Sequence, residues 1–109
     1  MQQRVALARA IATGASVWLM DEPFAALDEL TRERLTLTVL SLWQTYHPTI
    51  VWVTHHIGEA ARMADRIVVM SERPGRIKAT VAADYPRPRD ETAPEIVATI
   101  RSLRRSLGA

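Results

Sequence analysis

The chain has 109 residues, 48% of them hydrophobic and 24% charged, with a net charge of +2 and no cysteine. That length suits one domain with a modest core rather than two. Disulfides and thiolate metal sites are excluded, no apolar run approaches the roughly 20 residues of a membrane-spanning helix, and so small a net charge gives little ground for nucleic acid as a partner.

Residues 2–13 read as an alanine-rich helix, with Leu7, Ala10 and Ile11 on one face and Arg4 and Arg9 elsewhere. Met1-Gln2-Gln3-Arg4 enters this pattern directly, without the features of a signal peptide. Gly14 suits the position just past the helix end. Ser16–Asp21 then reads as a strand, and the apolar run Val17-Trp18-Leu19-Met20 suits one covered on both faces, as in parallel sheets. Asp21 and Glu22 follow, and Pro23 closes the strand because it cannot donate to a ladder. Ligands of open α/β sheets sit beyond the carboxyl ends of strands, so this acidic pair is expected to face a site. A lone Asp-Glu-Pro is more simply a solvated turn; the rest of the chain tips the balance.

Asp28 is a candidate cap for a second helix reaching about Tyr46, with Leu35, Val39, Leu42 and Tyr46 as its apolar stripe. His47-Pro48 ends it. Thr49–Thr54 is a second strand apolar on both faces, finishing at His55 and His56. A short helix with Ile57, Ala60, Ala61 and Ala64 on one side leads to a third buried strand, Arg66–Met70. Strands alternating with helices argue for parallel pairing with right-handed crossovers. Arg73-Pro74-Gly75-Arg76 has the residues of a type II turn, and Ile77, Ala79 and Val81 alternate with polar neighbours as in an antiparallel edge strand. Tyr85-Pro86-Arg87-Pro88-Arg89 reads as an extended linker. A final helix follows Pro94, with Ile96, Ile100, Leu103 and Leu107 on one side and Arg101, Arg104 and Arg105 on a solvated other side.

Two parallel strands would carry Asp21, Glu22 and His55 to one edge. A carboxylate there can hold Mg²⁺ through oxygen, a second can polarise a water, and an imidazole can sense a terminal phosphate, which are parts that phosphoryl transfer requires. The neighbours His55 and His56 also invite a metal reading. Alternation along a strand would send them to opposite faces, and no cysteine completes a site.

Met20-Asp21-Glu22-Pro23-Phe24-Ala25-Ala26-Leu27-Asp28 resembles the Walker B and D-loop block of ABC-type ATPases. Val53-Thr54-His55 resembles their H-loop, and Met1 to Ala10 resembles the second half of the signature motif with its helix. The block from Asp21 to Asp28, with Ser71-Glu72-Arg73-Pro74-Gly75-Arg76, is most similar to ATP-binding subunits of nitrate/sulfonate/taurine-type importers. His56 stands where an aspartate is frequent in the family, and Ala25 where serine is.

The resemblance implies a partial P-loop NTPase fold of α/β class: a mostly parallel sheet with flanking helices, an antiparallel edge strand and a C-terminal helix. Residues 1–84 would belong to the nucleotide-binding domain and residues 85–109 to a linker and amphipathic helix. ATP and Mg²⁺ are the implied cofactors, with Asp21 supporting the metal, Glu22 as general base and His55 on the γ-phosphate. Asp28 would couple the two nucleotide sites of a dimer, while Gln2, Gln3 and Arg4 trail the segment that contacts the partner's ATP. The implied partners are a second ATP-binding subunit and transmembrane permease subunits, on the cytoplasmic face of the cell membrane.

No G-x-x-x-x-G-K-[ST] phosphate loop occurs in the sequence, nor a glutamine loop, nor the start of the signature motif. The expectation is therefore a C-terminal part of a longer subunit that neither binds nor hydrolyses ATP by itself. Its strands would lack sheet neighbours, leaving marginal stability and edges open to aggregation. Two alternatives are a DNA-repair or chromosome-maintenance ATPase with the same motifs, and a non-catalytic interaction fragment. The short spacing before Asp21 and the lack of heptads weigh against the first.

Overall fold

Alternating burial gives β1 (Val17–Asp21) two unlike faces. Trp18 and Met20 are buried, whereas Val17 and Leu19 are 58% and 70% exposed. The computed structural model describes residues 9, 11–72 and 75–108. Arg9, Ile11 and Ala12 are helical, and Gly14 takes the left-handed φ of +67° that lets the chain turn out of a helix without a Cβ clash. Gln2, Gln3, Arg4, Leu7 and Ala10 of the expected first helix lie outside the described residues.

Asp28 opens α1 (Glu29–Tyr46) by accepting the Thr31 N–H at 2.7 Å, as its residue type predicts. His47 closes it at φ +50°, its N–H donating to the Trp43 carbonyl. The buried side of α1 is Leu35, Thr36, Val39 and Leu40. The expected stripe holds in its first half only: Leu42 is half-buried and Tyr46 is exposed. Thr36 is easily buried because its hydroxyl donates to the Arg32 carbonyl within the helix.

β2 (Thr49–Val53) pairs parallel with β1 in the register Val17↔Thr49 through Asp21↔Val53. The expected cover on both faces is not found among the described residues, since Val51 and Val53, like Val17 and Leu19, are exposed.

After His55 a second compact unit begins. It contains α2 (Ile57–Met63), β3 (Arg66–Met70), β4 (Ile77–Ala82) and α3 (Pro94–Gly108). β3 pairs with β4 antiparallel, with a register shift between Val69 and Met70. β4 is thus antiparallel as expected, but the mostly parallel sheet is corrected: among the described residues there are two sheets of two strands, one parallel and one antiparallel. A short connection favours local pairing of β3 with β4, closed by Ser71 N–H to the Arg76 carbonyl at 2.7 Å and Arg76 N–H to Ser71 Oγ at 3.0 Å. Arg73 and Pro74 of the expected type II turn lie outside the described residues.

The core of this unit joins Ala61, Ile67, Val69, Ala83, Ile96 and Leu103. Ile96 and Leu103 of the expected α3 stripe are buried, Ile100 is half-buried and Leu107 is exposed, while Arg101, Arg104 and Arg105 face solvent. The Tyr85–Arg89 stretch is not strung out as a linker, because Arg89 is buried against carbonyls of its own unit.

Candidate functional site

Parallel pairing brings the carboxyl ends of β1 and β2 level. The ladder runs one step past Asp21, with the Glu22 N–H donating to the Val53 carbonyl at 2.7 Å. The chain then turns: Glu22 adopts φ +49°, and its carbonyl accepts the Ala25 N–H at 3.3 Å. Phe24 anchors this turn from within, fully buried and edge-on to Trp52 with ring centroids 5.0 Å apart and planes at 77°. Farther on, Arg32 Nη2 donates to the Leu27 carbonyl at 3.1 Å, tying the turn to α1.

Glu22 and His55 meet on this rim, Oε1 of the carboxyl against Nδ1 of the imidazole. The contact becomes an ion pair when the ring is protonated. Glu22 is 26% exposed and His55 87% exposed, so the pair is open to an incoming ligand. Asp21 is exposed beside them at the strand end. The acidic pair and the imidazole therefore share one strand edge.

Asp28 is differently placed. Its carboxyl caps α1, and hydrogen bonds from the Thr31 backbone N–H and then the Thr31 hydroxyl hold its pKa below the usual aspartate value. Gln2, Gln3 and Arg4 lie outside the described residues.

His55 and His56 both lie past the end of β2, so strand alternation does not decide where their rings point. Among the described residues no group of three His, Asp or Glu side chains could enclose a metal. The carboxyls of Asp21 and Glu22 offer hard oxygen donors, which fit Mg²⁺ only when phosphate oxygens and water fill the other positions. A separate hollow of ≈ 210 Å³ lies at the amino end of β1, bordered by Gly14, Ser16, Trp18, Tyr46, His47 and Pro48. It is at the wrong end of the strands to serve the rim.

Sequence reasoning missed the Phe24–Trp52 contact and the Arg32 tie. An aromatic directly after the strand-closing proline was a usable signal for the first. The second has no local signature.

No family model matches the chain. It is 50% identical to an uncharacterized ABC transporter ATP-binding protein of Methanocaldococcus jannaschii, over 89% of the chain and 36% of that protein. It is 44% identical to a putative ATP-binding protein of Brucella abortus, over 90% of the chain and 39% of that protein. An aliphatic sulfonates import ATP-binding protein of Bacillus cereus is also 44% identical, over 85% of the chain and 37% of the relative. The chain thus spans less than two-fifths of the length of these relatives. At 44–50% identity over at least 85% of its residues, the chain is a homologue of ABC transporter ATP-binding proteins.

Proposed function

We propose that these residues form the hydrolytic rim of an ATP-binding subunit that energises solute import. The observation that carries this reading is the contact of Glu22 with His55 at the carboxyl ends of parallel β1 and β2. The sulfonate import relative supports an importer, with an organic sulfonate or similar anion as the solute class. In this reading residues 1–84 belong to a nucleotide-binding domain of P-loop type, with residues 85–109 at its C-terminal side.

Each residue then has a task. Glu22 accepts a proton from the attacking water at a carboxyl oxygen, acting as general base. His55 gives up its contact with Glu22 and turns an N–H towards the terminal phosphate. Asp21 offers its oxygen to Mg²⁺, which when bound neutralises charge on the phosphate oxygens. Asp28 couples the two nucleotide sites of a dimer from the start of α1, and Gln2, Gln3 and Arg4 trail in sequence the segment that contacts the partner's nucleotide. The partners are a second ATP-binding subunit and membrane permease subunits, met at the cytoplasmic face. No helix among the described residues is long and apolar enough to cross a membrane, in keeping with a peripheral role.

The exposed apolar face of β1 and β2 supports a larger whole, since parallel sheets are ordinarily covered on both sides. The chain by itself lacks the phosphate loop that cradles β- and γ-phosphates, so it should neither retain nor cleave ATP. Titration calorimetry with Mg-ATP should give no heat of binding; a saturable isotherm would overturn this. In a full-length ATP-binding protein carrying these residues, Glu22→Gln should abolish turnover and keep nucleotide binding. Undiminished hydrolysis by that variant would remove Glu22 from the role of base.

A further inference from the structure

Arg89 is 6% exposed, and its guanidinium is spent on backbone carbonyls. Nη1 donates to Ala61 O at 2.8 Å and Ala64 O at 2.6 Å. Nη2 donates to Ala83 O at 2.6 Å and Tyr85 O at 2.9 Å, and Nε to Tyr85 O at 3.2 Å. Two of these carbonyls belong to the end of α2, where a helix runs out of internal donors. Arg87 supplies a third donor there, Nη1 to Met63 O at 2.7 Å, while its Nη2 pairs with Asp65 at 2.9 Å. Arg62, on α2 itself, returns a bond from Nε to Arg89 O at 3.3 Å.

The same stretch also reaches the other end of the helix. The Glu91 carboxyl lies against Gly58, where an added Cβ would stand 3.0 Å from Glu91 Oε1. Residues 85–91 therefore run along α2 with cations at its carbonyl end and an anion at its amide end, the order that suits the helix dipole. A helix of seven residues cannot persist without such help. Asp90 then turns the chain into α3 by accepting the Thr92 N–H at 2.8 Å and hydroxyl at 2.7 Å. Ile96 and Leu103 of α3 share a core with Ala61 of α2.

We propose that residues 85–91 are an internal strap that makes α2 and α3 open and close as one. Arg89 provides the donors that α2 lacks at its carboxyl end, and lifting α3 withdraws them. α2 begins two residues after His55 in the sequence, and the strap stands whether or not the ATPase reading holds.

Hydrogen exchange on the full chain tests it. Arg89→Met should speed exchange of the Ala60 and Ala64 amides and of the α3 amides together, by roughly tenfold or more, with β1 and β2 amides unchanged. Arg89→Lys should recover only part of the protection, because an ammonium cannot reproduce the planar fork that bridges several carbonyls. Should Arg89→Met unfold the whole chain, Arg87→Ala decides the matter: it removes the more exposed half of the contact and should loosen α2 and α3 in parallel. Unchanged exchange in either variant, or loosening of α2 while α3 stays protected, would overturn the strap. ATP turnover is not part of this readout, so failure of the ATPase reading would leave the result standing.

Discussion

The two units of the chain treat their polar groups in opposite ways. In the first, Asp21, Glu22 and His55 stand at a strand edge, open to solvent, while Val17, Leu19, Val51 and Val53 leave one sheet face bare. In the second, Arg89 is buried with its donors engaged by Ala61, Ala64, Ala83 and Tyr85, and α2, α3 and the β3–β4 pair close a common core. A buried charge surrounded by acceptors belongs to a structure that is complete around it. The first unit instead leaves an apolar sheet face and an acid–imidazole contact open to solvent. Val68, Met70 and Ile77 are exposed in the second unit too, so the contrast lies in how polar groups are held rather than in apolar cover.

Core truncations should separate the two most strongly. Phe24→Ala removes a fully buried ring and its contact with Trp52, and should cost about 3–5 kcal/mol, mostly in the first unit. Leu103→Ala should cost about 2–5 kcal/mol in the second. Denaturant melts followed by unit-resolved amide signals would check both; equal loss of both units in either variant would break the contrast.

A smaller effect is expected at the α1 cap. Asp28→Ala should lower the melting temperature by a few degrees. The pH dependence has a definite sign. The folded carboxyl titrates below its unfolded value of 3.8, so its contribution is present above that value and fades as pH falls through the folded pKa. Thermal melts of the parent and variant between pH 7 and roughly pH 2 should converge at the acid end.

The smallest thermodynamic effect belongs to the bare face. Leu19→Lys should change stability by no more than about 0.5 kcal/mol, because Leu19 is mostly in water already. It should nevertheless reduce self-association seen by light scattering. A large loss of stability would mean that Leu19 is covered after all.

Much of this was legible from local rules. Asp28 caps α1 because a short acidic side chain reaches the free N–H groups of a first turn, and Gly14 turns because it lacks a Cβ. Alternation along Ile77–Ala82 marked β4, and helical spacing found Ile96 and Leu103. The meeting of Glu22 with His55 followed from two strands ending in polar residues and pairing in parallel. What could not be read depended on distant partners. Prolines around Arg87 and Arg89 favour extended backbone and so suggest a linker, yet the carbonyls that bury Arg89 lie up to 28 residues away. Tyr46 fits the periodicity of α1, yet it is 53% exposed. Among the described residues β3 pairs only with β4, which follows from the short connection between them and not from the residues of β3.

The φ of +49° at Glu22 is a geometry that glycine adopts freely and that glutamate adopts at a conformational disadvantage. A turn selected only to reverse the chain would be better served by the smaller residue. Glu22→Gly should hold the bend with less torsional strain while erasing the acid, so an unchanged fold with a higher melting temperature would show that the side chain, not the backbone, is why this position tolerates an awkward torsion.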